Sequence, residues 1–149
     1  RLKAKSPGIT PISSEQYAGP TRDTGKRASE NLLNRYANQI QGVFCVNESS
    51  THGMLLALQD IGKAGVIKFI GFDASQTFVD AIENGQMHGL VVQNPMNMGY
   101  LGVLRMVDHL QGKPVDRRID TGVWMITKEN MNDQEAAELL HPPVAQYLN

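Results

Sequence analysis

Short apolar runs alternate with apolar residues at helical spacing along most of the chain, and that alternation predicts its elements. Gly8–Ser14 reads as a polar first strand, and Pro11 within it places it at a sheet edge. Thr21-Arg22-Asp23-Thr24 carries helix-capping chemistry. Ala28, Leu32 and Tyr36 follow at helical spacing, with Leu33 widening the stripe. Val43-Phe44-Cys45-Val46 reads as a buried strand. Ser49, Ser50 or Thr51 is placed to cap the next helix, whose inner face is Met54, Leu55, Leu58 and Ile61, and Gly62 and Gly65 end it. Val66–Phe72 is a further strand. Phe78, Val79 and Ile82 mark a short helix stopped by Asn84-Gly85. His88–Val92 is a fourth strand, broken by Pro95. Leu101, Leu104 and Val107 or Asp108 lie on a longer helix ending near Gly112-Lys113-Pro114. Ile119–Thr127 reads as the last strand, and Asn132 or Asp133 opens a terminal helix that runs to Leu140 before Pro142-Pro143.

Near-continuous apolar strands separated by helices predict an α/β fold, a parallel sheet flanked by helices on both faces. Arg1–Lys5 reads as the last turn of a helix stopped by Ser6-Pro7-Gly8. The expectation is a fragment whose upstream half is missing, the alternative being a mature chain trimmed by processing.

Composition narrows the partners. With 149 residues, 41% of them hydrophobic, the chain has enough material for one real core. Lys+Arg 14 against Asp+Glu 15 gives a net charge of -1, so no basic field exists to hold nucleic acid or an anionic bilayer. The single cysteine, Cys45, excludes an internal disulfide framework and a multi-cysteine zinc site. It reads as buried and inert.

In open parallel sheets ligands bind beyond the carboxyl ends of the strands. Asn47, Asp73 and Gln93 stand at that point in three successive strand–helix units, so they are expected to converge along one sheet edge. Asn and Gln both donate and accept, and ionised Asp accepts only, a set suited to an uncharged ligand rich in hydroxyls. A carboxylate that takes two hydroxyl protons makes charge-assisted bonds worth about 1.5–3 kcal/mol each. The competing reading is that Asn47 and Asp73 are turn and cap residues, positions such side chains favour anyway. Tyr17 and Arg22 belong to the same edge, as a stacking aromatic and a forked donor. Against that, Tyr17 reads as a half-buried loop aromatic and Arg22 as a solvated first-turn residue.

Other chemistry is thin. No phosphate-cradling glycine loop and no G-x-S-x-G elbow occurs, and His52, His88, His109 and His141 have no metal-ligand spacing, so neither cofactor nor metal is expected. Ser49 and Ser50 beside His52 are better explained by helix capping than by a nucleophile and its base. Asn47-Glu48-Ser49 matches a glycosylation acceptor, a pattern frequent by chance.

Four segments together resemble the second half of the type 1 periplasmic sugar-binding proteins, the ribose-binding-protein-like solute receptors of ABC transporters. They are Gln16–Asp23, Gly42–Glu48, Phe69–Ala74 and Val91–Pro95 with Met98-Gly99-Tyr100, and Ile119–Val123 with Ile126–Asn130 resembles that family's closing strand. The resemblance implies two α/β lobes joined by hinge strands with a sugar clamped between them. It implies that Asn47, Asp73 and Gln93 are the sugar-hydrogen-bonding positions, the same three the strand ends single out. The family's aromatic near the first loop aligns with Pro20, with Tyr17 close by, and a further family arginine would lie upstream of Arg1.

On this reading residues 1–93 are the C-terminal sugar-binding lobe. Residues 94–118 are a hinge and a helix of the missing N-terminal lobe, and 119–149 are the closing strand and terminal helix. The helix from Met98 to Leu110 would then expose apolar surface or meet another chain. The implied function is substrate binding for an ABC-type sugar importer, with a membrane permease as partner, a periplasmic or extracytoplasmic location and no catalysis. Half a clamp should bind sugar weakly or not at all. The alternatives are the effector-binding core of a LacI-type transcription regulator, which shares the fold, and an α/β enzyme using Asp73 as acid or base with Glu48 or Asp23.

Overall fold

A computed structural model describes residues 2–147, with side chains from residue 4 onward. Its elements in chain order are α1 (Leu2–Lys5), α2 (Arg22–Tyr36), β1 (Gly42–Phe44), α3 (Glu48–Asp60), β2 (Lys68–Phe72), α4 (Gln76–Glu83), β3 (Gly89–Val92), α5 (Pro95–Leu110), β4 (Trp124–Ile126) and α6 (Gln134–Leu140), with a 3-10 turn at Val144–Gln146. The four strands form one sheet in the order β1-β2-β3-β4. β1, β2 and β3 are parallel, and β4 runs antiparallel to β3. The α/β class read from the sequence is observed, with a mixed sheet in place of the fully parallel one. An antiparallel closing strand needs no right-handed crossover, and strand–helix alternation does not reveal its direction.

The core lies between the sheet and its helices. Phe69, Leu90 and Ile126 of the strands meet Leu55 and Leu58 of α3 and Phe78 and Ile82 of α4, all essentially inaccessible. Leu139 and Leu140 of α6 join the same cluster. Burying side chains of this size stabilises by about 1.5–3 kcal/mol each.

Four expectations are corrected. Gly8–Ser14 is not a strand: no neighbouring strand pairs with it among the described residues, Pro11 lacks an amide hydrogen, and Ile9 and Ile12 are exposed. The run Val43–Val46 is not wholly buried. β1 is an edge strand, Phe44 and Val46 are 57% and 66% exposed, and only Cys45 is deeply covered. The inner face of α2 is centred on Gly25, Ser29 and Leu33: of the expected stripe Leu33 is buried and Leu32 packs partly buried against the core, while Ala28 and Tyr36 lie to the side. The reason is backbone proximity: a Cβ on Gly53 of α3 would lie 2.3 Å from the Gly25 carbonyl carbon, so two glycines set how closely these helices pack. The last strand is only Trp124–Ile126, because residues 115–120 before it are exposed chain.

α5 stands apart. None of its residues is buried, and Tyr100, Val103, Met106 and Leu110 are largely open, Leu110 at 77%.

Candidate functional site

The carboxyl ends of β1, β2 and β3 lie side by side. Phe44 pairs with Ile70, and Asn47 and Asp73 each lie three residues beyond that pair. Phe72 pairs with Val91, so Asp73 is one residue and Gln93 two residues past it. With neighbouring strands about 4.8 Å apart, the three backbone positions occupy one continuous shelf. Two surface cavities lie elsewhere. One, of about 290 Å³, is bounded by Asn94, Pro95, Trp124, Glu135, Leu139 and Pro142, and the other is a shallow apolar dip on α5.

Asn47 is the N-cap of α3, not Ser49, Ser50 or Thr51. Its Oδ1 accepts from the Ser50 amide at 3.0 Å and from the Ser50 hydroxyl at 2.7 Å. Such a cap stabilises a helix by about 1 kcal/mol. The structural reading of Asn47 is therefore real, and it changes the chemistry left for a ligand. The acceptor is occupied, while the Nδ2 group has no partner among the described residues, so Asn47 offers donors only.

Asp73 follows β2 with φ +65, the one non-glycine residue in the left-handed region among the described residues. Its amide donates to the Val91 carbonyl at 2.9 Å, which ties the turn to β3. Asp tolerates this conformation better than most residues, yet it remains a strained choice of the kind that clusters at binding sites. The half-buried carboxylate has no side-chain partner among the described residues. Gln93 is likewise half-buried, and its side-chain amide has no partner among the described residues. Donors from Asn47, an acceptor pair from Asp73 and both from Gln93 are the hydrogen-bonding groups these three strand ends carry.

The two remaining candidates fare differently. Arg22, the first residue of α2, donates through Nε to Glu48 Oε1 at 3.0 Å and through Nη2 to the same oxygen at 2.5 Å. That hydrogen bond, with the carboxylate charge, holds its pKa above the ordinary arginine range. Arg22 is thus committed to Glu48, whose carboxylate is correspondingly engaged. Tyr17 is 93% exposed, so the structure does not bring its ring against the shelf, and it is not the half-buried loop aromatic of the sequence reading. Pro20 is also exposed.

Sequence reasoning missed how the shelf is held. Thr51, considered only as a cap, is fully buried; its Oγ1 donates to the Asn47 carbonyl at 2.8 Å and accepts from the Phe72 amide at 2.9 Å. The available signals were a polar β-branched residue next to an apolar helix face and a glycine, Gly71, inside a strand. Cys45 matches its expectation: burial pushes its thiol pKa up to about 12, although the Ser50 hydroxyl works the other way.

The family model described as "Periplasmic binding protein domain" matches residues 1–114. This chain belongs to the periplasmic binding protein family. Among curated relatives, the ribose import binding protein of Haemophilus influenzae is 29% identical over 117 residues, covering 78% of this chain and 39% of that protein. The D-allose-binding periplasmic protein of Escherichia coli is 35% identical over 78 residues, 52% of this chain and 25% of that one. Among solved structures, a carbohydrate transporter solute-binding protein of Agrobacterium radiobacter in complex with D-arabinose superposes with a TM-score of 0.85 at 31% identity. That match covers 93% of this chain and 46% of that one. The resemblance drawn from the four segments to type 1 periplasmic sugar-binding proteins holds, and these homologues are sugar-binding transport proteins. The chain spans less than half the length of these relatives.

Proposed function

We propose that this periplasmic binding protein chain supplies one wall of a sugar clamp for an ABC-type importer, and that it is not an enzyme. Asn47, Asp73 and Gln93 hydrogen-bond a neutral monosaccharide whose opposite side is gripped by another lobe. The observation that carries this reading is the placement of three polar side chains at adjoining parallel strand ends, with Asp73 held left-handed between two strands. A shelf at adjoining strand ends suits a site completed by a second body. Residues 1–93 then form the sugar-binding lobe, 94–118 a hinge and a helix that belongs with the other lobe, and 119–149 the closing segment. The apolar face of α5 is where that lobe, or a second copy of the chain, would rest. The working location is periplasmic or extracytoplasmic. The closed receptor is the form a membrane permease would recognise, by hinge motion of the two lobes.

A half-site loses several of the hydrogen bonds of the full clamp, and each decade of affinity is about 1.4 kcal/mol. Titration of the 15N-labelled chain with D-ribose, D-allose and D-arabinose is therefore expected to give dissociation constants of about 1 mM or weaker. Shifts should concentrate at Asn47, Asp73 and Gln93, and Asp73→Asn should weaken binding at least about tenfold, the value of one charge-assisted bond. Micromolar affinity for the isolated chain would overturn the half-site reading, and sugar-induced shifts centred away from Asn47, Asp73 and Gln93 would overturn the site.

A further inference from the structure

We propose that Thr51 is a positioning residue for this site: its hydroxyl fixes the turn at Asp73 against the cap at Asn47. The inference rests on the sugar-binding reading and extends it to a residue that touches no sugar. The argument begins with the end of the β1–β2 ladder. Lys68 donates its amide to Gln41, and the ladder continues along β1 to Phe44. By that spacing the Phe72 amide would donate to Cys45, but the chain has by then turned toward α3. Thr51 Oγ1 takes the place of the missing acceptor, at 2.9 Å. The same oxygen donates its proton to the Asn47 carbonyl at 2.8 Å. One buried atom thus joins the residue before Asp73 to Asn47 itself.

The surroundings are shaped for this contact. Thr51 is fully buried, and a Cβ on Gly71 would lie 2.3 Å from its methyl group, so only glycine at that position lets α3 settle onto β2. Asp73 is therefore flanked by two anchors, the Phe72 amide on Thr51 and its own amide on Val91. A left-handed aspartate released from one anchor can relax toward the ordinary extended region, which carries its carboxylate away from the shelf. A merely structural threonine would support the helix without this coupling.

Thr51→Ser and Thr51→Ala both lose the methyl group and differ by one oxygen, which makes them the decisive pair. In Thr51→Ala the Phe72 and Asp73 amides should exchange at least about tenfold faster relative to the Phe69 amide, the equivalent of one lost buried hydrogen bond. The D-ribose response at Asp73 should weaken by about tenfold, while Thr51→Ser stays within about threefold of the parent chain. A parent chain that responds to D-ribose alongside a Thr51→Ala variant that responds equally overturns the positioning role alone. So does a Thr51→Ser variant as impaired as Thr51→Ala, since the methyl group would then be what matters. A parent chain whose shifts with D-ribose, D-allose and D-arabinose centre away from Asn47, Asp73 and Gln93 overturns the sugar reading of this shelf and this role with it. Should Thr51→Ala fail to fold, the parent chain decides: a slowly exchanging Thr51 hydroxyl proton with a cross-peak to the Phe72 amide supports the clamp, and its absence overturns it.

Discussion

His88 stands just before β3 with both ring nitrogens facing donors. Nδ1 accepts from the Phe69 amide at 3.2 Å, and Nε2 lies 3.0 Å from Lys68 Nζ. A protonated ring has no lone pair for Phe69 and would stand beside a like charge. Burial first and Lys68 second hold its pKa below 6.5. The unfolded chain takes up this proton more readily than the folded one, so the stability from neutral His88 is complete above 6.5 and drains away as pH falls from there through the folded value. Urea midpoints compared at about pH 7.5 and about pH 5.5 should drop, and the drop should shrink in His88→Gln, which keeps an acceptor but does not titrate. An identical drop in both proteins would remove His88 as the cause. At this same scale the three strand-end side chains were legible, because Asn, Asp and Gln in successive units follow from strand periodicity alone. What could not be read was how Asn47 divides itself. Its Oδ1 caps α3, and only the amide side is left for a ligand.

Among elements, the contact of α2 with α3 shows where pattern reading fails. A search for apolar stripes finds Leu32, Leu33 and Tyr36, but two of the three buried positions are Gly25 and Ser29. Ser29 satisfies its hydroxyl on the Gly25 carbonyl at 2.8 Å, so neither small residue presents hydrophobicity to be counted. Close approach of backbones leaves its trace in the sequence as glycine, and glycine has several other uses. Gly53→Ala should test this packing. Its new Cβ would meet the α2 backbone at 2.3 Å, which no rotamer change relieves, and a loss of roughly 1–3 kcal/mol in urea unfolding is expected. A loss within experimental error would show that the helices part freely. The Gly8–Ser14 segment fails for a related reason. A strand exists only when a neighbour pairs with it, and local sequence does not reveal whether one is present. Helix starts were more readable: Thr21 and Thr24 form the capping box of α2 that the capping residues suggested.

For the whole molecule, the sheet and its covering helices form one packed body to which α5 contributes no buried residue. The chain leaves that body after Val92 and returns at Trp124, and those two residues are Cα partners across β3 and β4. Everything between them is an excursion that begins and ends at one place. Replacing residues 95–122 by a short turn should therefore turn β3 and β4 into an ordinary hairpin. The melting temperature is expected to stay within a few degrees, about 4–8 °C being worth 1 kcal/mol in a small domain. Binding of a hydrophobic dye should fall with the loss of Tyr100, Val103 and Leu110. Collapse of the shortened chain would show that the excursion supports the body after all. If the swap succeeds, the gap between Val92 and Trp124 becomes a socket. Foreign segments, a fluorescent reporter among them, could be spliced there within a residue of Gln93, so that occupancy of the shelf is read out by whatever the graft carries.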